Sequence, residues 1–215
     1  MKGFASFISW LFLPLFTPIY GLLVVLYLPV QSKSFVATES LYLLYPEAKF
    51  LFLLLFLVFI VLAPGLSFIV LKLNKTISSL QMENAEERLT PIAIMTFYCL
   101  VLYSFLHFQE EGAFIPSIIK AMVLGGAIAS FCSYFITKRM KISLHAMGMG
   151  ALFGFIYMYA LQLDQVPLIT LSSILLLGGI VLSARLILKA HSIKEISAGY
   201  LLGLATQIIS IYFYP

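Results

Sequence analysis

Seven apolar runs dominate this sequence, and each is close to the length that a helix needs to cross a bilayer. Lipid offers no partner to unpaired backbone groups, and the alternation typical of a β-barrel is not visible, so we expect seven helices. Charged residues form only 10% of the chain, against about 25% in soluble domains. This excludes a soluble protein, a disordered chain and a nucleic-acid binder with a basic face. The expected spans are Phe4–Val30, Phe50–Leu71, Ile92–Phe108, Pro116–Ile136, Leu144–Leu161, Val166–Ala190 and Ile193–Tyr212.

The sequence therefore predicts an all-α, polytopic membrane helix bundle that forms one domain over residues 1–215. Its first apolar run is too long for the core of a cleavable signal peptide, and it contains Pro14 and Pro18. We expect one spanning helix that bends at these prolines. Gly150, Gly199 and Gly203 favour close packing of the fifth and seventh helices.

The lysine and arginine residues are distributed unequally between the two faces of the predicted bundle. Seven crossings place the N-terminus and the connections near 72–91, 137–143 and 189–194 on one face, which we call side one. Side one carries ten of the thirteen Lys and Arg residues. The positive-inside rule therefore predicts that side one is cytoplasmic and that the C-terminus lies outside.

The first polar cluster on side one precedes the fifth predicted helix. Lys138, Arg139 and Lys141 come shortly before Ser143, the expected N-cap, and His145 follows in the first turn. Free amides at a helix N-terminus, a hydroxyl group and neighbouring cations together favour an anion site. The alternative is a set of cytoplasmic charges beside an ordinary helix cap.

The second polar cluster spans the end of the sixth predicted helix and the start of the seventh. Arg185 lies about one turn inside the sixth helix, where a guanidinium is costly unless it binds something. Glu195 follows His191 by four residues, so the carboxylate can contact the imidazole, fix its tautomer and support positive charge on it. Ser192 and Glu195 also form a capping-box pattern, which would explain Glu195 without any chemistry.

The order of these polar residues resembles the second and third signature motifs of the phosphatidic acid phosphatase type 2 and haloperoxidase superfamily. Those motifs read Ser-x-His and then Ser-x-Arg, five residues, His, three residues and an acid. The residues here are Ser143, Leu144 and His145, followed by Ser183, Arg185, His191 and Glu195. The resemblance covers roughly Tyr134 to Gly203 and implies a phosphatase-like core over about residues 116–213.

The resemblance implies hydrolysis of a phosphomonoester or diphosphate without a metal or other cofactor. His191 would attack phosphorus and form a phosphohistidine, and Glu195 would orient its ring. His145 would protonate the leaving oxygen and later activate water. Arg185 and Ser143 would hold the equatorial oxygens. The implied substrate is a lipid phosphate or isoprenoid diphosphate presented by a membrane, and the expected location is a bacterial cytoplasmic membrane.

The sequence also departs from the family pattern. Leu144 stands where the family has glycine, Glu195 replaces aspartate, and the first motif, Lys-x6-Arg-Pro, is not intact. Lys138, Arg139 and Lys141 lie in the right region to supply the missing cation, and Lys141 is the preferred candidate. A further candidate is Arg88, in the segment from Asn84 to Pro91. A second hypothesis is therefore a non-catalytic relative that binds or moves a phospholipid.

Overall fold

The computed structural model describes residues 1–29, 40–79, 86–109, 115–163 and 167–215, and the regular elements in these ranges are helices. The predicted ends Val30 and Val166 and the start of the Asn84 segment lie outside the described residues. Short 3-10 turns cover Leu41–Leu43 and Glu86–Arg88. The helices are α1 (Lys2–Leu11), α2 (Thr17–Tyr27), α3 (Pro46–Leu73), α4 (Leu89–His107), α5 (Ser117–Thr137), α6 (Leu144–Ala160), α7 (Leu168–Ile187) and α8 (Ile193–Phe213).

Five of these helices, within the described ranges, are long and apolar enough to cross a membrane: α3, α4 with its preceding turn, α5, α7 and α8. Helix α6 forms at the fifth predicted run but is shorter. The expected bundle of apolar helices is therefore present, with the length and composition of an integral membrane protein. The prediction of seven full spans is not confirmed, because two of the seven runs form shorter helices.

The first predicted run forms two helices instead of one bent helix. Helices α1 and α2 have 10 and 11 residues and are separated by residues 12–16. Pro14 has no amide proton to donate within a helix and its ring clashes with the preceding turn, so the helix ends before it. The Thr17 hydroxyl donates to the carbonyl of Pro14 at 2.9 Å and stabilises the break. Helix α1 packs on α7, whereas α2 packs on α6.

Helix α3 contains a π-helical segment, Leu57–Leu62, directly before Pro64. Proline cannot donate the hydrogen bond that the regular α-helical pattern would require there, which favours the wider register just before it. Phe56 and Ile60 are buried at this segment and face the interior of the bundle.

The closest backbone packing joins α6 and α8. A Cβ atom at Gly203 would overlap the carbonyl of Met147, and one at Gly150 would overlap the carbonyl of Tyr200. Only glycine allows the two backbones to approach this closely. This confirms the predicted packing of these helices, and it places the first turn of α6 beside the first turn of α8.

Candidate functional site

A cavity of about 970 Å³ lies among α1, α3, α4, α5 and α6 and reaches the connection between α7 and α8. One end is polar. It is lined by Arg88, Lys141, His145, Arg185 and His191, which come from four separate parts of the chain. Among the residues that the structure describes, no aspartate or glutamate lines this cavity. The polar end therefore favours an anionic ligand.

His191 lies in the connection before α8 and is only 7% exposed. Its Nδ1 atom is 2.8 Å from Oε2 of Glu195, so a proton on Nδ1 donates to the carboxylate. The tautomer assigned in this way leaves a lone pair on Nε2, which faces Nη1 of Arg88 at 3.5 Å. The nitrogen that remains unprotonated is thus the one beside the guanidinium.

The two alternatives for Glu195 hold at the same time. Its Oε2 atom also accepts from the backbone amide of Ser192 at 3.2 Å, while its own amide donates to the Ser192 hydroxyl oxygen at 3.4 Å. This is a complete capping box at the start of α8. A single carboxylate therefore caps the helix and binds the imidazole of His191.

The environment of His191 keeps its ring neutral. Burial is the largest cause that lowers the pKa of His191 from its ordinary 6.5, and together with the charges of Arg88, Arg185 and Lys141, against the opposing effect of Glu195, it brings this pKa to about 4. At neutral pH the Nε2 lone pair is therefore available to attack an electrophile.

Arg88 comes from the 3-10 turn before α4 and is only 5% exposed. Its Nη1 atom donates to the carbonyl of Ile142 at 3.1 Å, in the segment that leads into α6. This contact links the start of α4 to the start of α6. The structure thus places Arg88 at the same polar end as both histidines. This is the position that a replacement for the cation of the first motif would need.

Ser9 of α1 joins His145 and Arg185, and sequence reasoning missed it. The Nε2 atom of His145 is 3.0 Å from the carbonyl oxygen of Ser9, and Nη1 of Arg185 donates to the Ser9 hydroxyl oxygen at 3.1 Å. The Nε atom of Arg185 is buried without a hydrogen-bond partner among the described residues. The only available signal was a pair of serines, Ser6 and Ser9, one turn apart in an apolar run.

Three predicted phosphate-binding residues do not line the cavity. Lys138 and Arg139 are exposed beyond the end of α5, and the Lys138 ammonium lies 4.6 Å from the ring centre of Tyr134. Ser143 is fully buried, and its hydroxyl oxygen accepts from the amide of Ala146 at 3.4 Å as an ordinary N-cap. Of the three cations before α6, only Lys141 lines the cavity in the structure.

Helix α6 presents Leu144 to the cavity at the position where the resembled family has glycine. Ser183, the first residue of the third motif, is exposed and lies outside this cavity. Within the described ranges, no group of three or more His, Cys, Asp or Glu side chains could hold a metal ion.

Comparison of the chain with models of protein families, with curated protein sequences and with solved structures finds no match.

Proposed function

We propose that this protein is a membrane phosphatase that hydrolyses a lipid phosphate or isoprenoid diphosphate through a phosphohistidine on His191. The observation that carries the proposal is that the two nitrogens of the His191 ring have different partners. Nδ1 is bound to Glu195, and Nε2 lies beside Arg88 at the polar end of a large cavity. A nucleophilic histidine requires this combination of an orienting acid and a ring nitrogen that carries no proton.

The proposed reaction has two steps. In the first, Nε2 of His191 forms a bond to phosphorus, the bond from phosphorus to the lipid oxygen breaks, and the protonated form of His145, whose Nε2–H donates to the Ser9 carbonyl, supplies its Nδ1 proton to that oxygen. In the second, water attacks the phosphohistidine, His145 takes a proton from the water, and the bond between phosphorus and Nε2 breaks. Glu195 supports the positive charge that the phosphorylated ring carries.

The cations at the polar end suit the transition state of this reaction. Arg88 and Arg185 both line the cavity, and Lys141 lies at the same end. The unpartnered Nε–H of Arg185 is a donor for a phosphoryl oxygen. Fixed donors of this kind stabilise negative charge on the equatorial oxygens without reorganisation.

Lipid-soluble substrates suit the surroundings of the site. The phosphate would lie at the ends of α6 and α8 and the hydrocarbon would remain in the apolar bundle. We place the polar end on the cytoplasmic side of a bacterial cytoplasmic membrane, following the cation count. Helix α8 carries the C-terminus to the opposite end of the bundle. A reporter enzyme that is active only outside the cell, fused at Pro215, tests this orientation. We expect an active reporter, and an inactive one would indicate the opposite orientation.

The second candidate is a non-catalytic protein that binds or moves a phospholipid, and Leu144 favours it. This side chain lines the cavity where glycine would let the backbone approach a phosphate. In that case the pocket would bind the anionic head group without hydrolysing it.

The test of the leading proposal measures phosphate release by the purified protein in lipid nanodiscs that contain a lipid phosphate. We expect release by the wild type and its loss in His191→Ala. His107→Ala is the matched control, because His107 lies at the far end of α4 and contacts Tyr214 at 3.2 Å. Equal rates in wild type and His191→Ala would exclude the phosphohistidine mechanism. Head-group binding without release in any variant would support the second candidate.

A further inference from the structure

Beyond its polar end, the cavity continues as an apolar arm into the bundle. Three helices each line it with a stripe that begins at the polar end: α4 from Arg88 to Cys99, α5 from Ser133 to Met122, and α6 from Leu144 to Phe155. Each stripe covers eleven steps along a helix, or about 16 Å at a rise of about 1.5 Å per residue. The agreement of the three stripes shows that the arm is about this deep.

The inner end of the arm is closed by Gln207 and Met122. Gln207 is 3% exposed, and its Nε2 atom donates to the Met122 carbonyl at 3.0 Å. Phe155 and the end of the Met122 side chain lie at the same depth, since both approach Gly21 of α2. The arm therefore ends at a packed layer within the bundle.

One wall position of the arm faces open space. A Cβ atom built on Gly126 of α5 would meet nothing within 4 Å, and Gly126 lines the cavity. It lies seven residues before Ser133 along α5, which places it about 10 Å from the polar end. A larger side chain at this position would enter the arm near its middle.

The cavity also opens to the outside of the bundle. Trp10 of α1 and Leu66 and Ile69 of α3 line it, and they are 49%, 62% and 47% exposed. These apolar side chains mark a mouth on the lipid-facing surface. A molecule with a hydrocarbon chain can enter there directly from a bilayer.

We propose that this arm, which we call the chain arm, binds a single hydrocarbon chain of an anionic amphiphile, and that its depth limits the length of chain that is bound. The inference rests on the proposed function for the position of the anionic group, which the cations at the polar end attract. Relative to the probe dissolved in water, each buried methylene should tighten binding about fourfold until the chain fills the arm.

The experiment uses alkylphosphonates, which resist hydrolysis, with octyl, dodecyl and hexadecyl chains. Their affinities are measured by competition against a fluorescent lipid phosphonate in nanodiscs of one composition. Comparison between variants cancels the partition of each probe into the bilayer. For the wild type, affinity should rise from octyl to dodecyl and rise less steeply to hexadecyl, because the longest chain exceeds the arm.

Gly126→Leu should reduce the usable depth from about 16 Å to about 10 Å. We expect octylphosphonate to bind as in the wild type and the gain from octyl to dodecyl to fall at least tenfold. For Gly126→Ala, the gain in affinity from octyl to dodecyl should lie between those of the wild type and Gly126→Leu. Gly179→Leu is the matched control, because Gly179 also faces open space but lies on α7 outside this cavity. It should keep the wild-type profile.

The outcomes separate this inference from the proposed function. An unchanged chain-length profile in Gly126→Leu, with octylphosphonate still bound, would overturn the chain arm. Loss of octylphosphonate binding in Gly126→Ala would do so as well. Chain-dependent binding without phosphate release by the wild type would contradict the phosphatase and leave the chain arm intact. Phosphate release that is independent of chain length would contradict the chain arm and leave the phosphatase proposal intact.

Discussion

Replacement of Glu195 by glutamine distinguishes the two roles of this residue. The carboxylate accepts from Nδ1 of His191 at 2.8 Å, and it also completes the capping box of α8. Glutamine keeps an acceptor oxygen of similar reach, so the tautomer of His191 is preserved, but the negative charge is lost. A hydrogen bond to a charged group contributes about 1.5–3 kcal/mol and a neutral one about 0.5–1.5 kcal/mol. The difference is about 1–2 kcal/mol.

This difference acts mainly on the phosphorylated state, because only that state carries positive charge on the imidazole. We therefore expect Glu195→Gln to lower kcat for phosphate release by about 5–30-fold. Ser192→Ala is the control, since it removes the N-cap oxygen but leaves the contact between Glu195 and His191. It should lower the free energy of unfolding by about 1 kcal/mol and change kcat little.

The assay compares kcat from phosphate release with thermal unfolding of the same three proteins in nanodiscs. If Glu195→Gln and Ser192→Ala reduce the free energy of unfolding to the same extent and both keep the wild-type kcat, Glu195 acts only as a helix cap. That result would refute the argument that it supports charge on His191.

Three further predictions follow from the site and its scaffold. Since the folded state holds the pKa of His191 at about 4, below its ordinary 6.5, the unfolded chain binds the proton more readily. Stability should therefore fall as the pH drops from about 6.5 to about 4, and thermal unfolding of His191→Gln should lose this part of the dependence. Gly203→Ala would force α6 and α8 apart and lower the free energy of unfolding by about 1–3 kcal/mol, whereas Gly179→Ala should be neutral in the same denaturation assay. Arg88→Ala should weaken inhibition by vanadate about tenfold or more, and Lys138→Ala should leave it unchanged, because Arg88 lines the cavity and Lys138 does not.

Much of the fold could be predicted because each apolar run has one dominant constraint, the need to satisfy its own backbone in lipid. The first run was the exception. A proline can bend a membrane helix or end it, depending on the contacts that the backbone makes nearby, and here the Thr17 hydroxyl donates to the carbonyl of Pro14 within the break. The length of the run gave no indication of this contact.

The site was predictable only in part. His145, Arg185 and His191 lie near helix ends on one face, so the spacing of the helices was enough to bring them together. The contact with Ser9 depends on how α1 packs against α7, which no local pattern encodes. Similarly, the sequence could not distinguish Lys141 from its neighbours, since the direction of each side chain depends on where α5 ends.

Ser143 shows how the scaffold and the proposed chemistry are connected. The resemblance implies that this residue holds a phosphoryl oxygen, yet its hydroxyl group caps α6 and its amide donates to the carbonyl of Glu195 at 3.1 Å. This bond joins the N-cap of α6, two residues before His145, to the acid that contacts His191. The close approach of the two helices at Gly199, where a Cβ atom would overlap the Ser143 carbonyl, is what makes the bond possible. Ser143 therefore fixes the distance between the two histidine-bearing segments, whereas the guanidinium groups of Arg88 and Arg185 line the cavity where the proposed phosphate would bind.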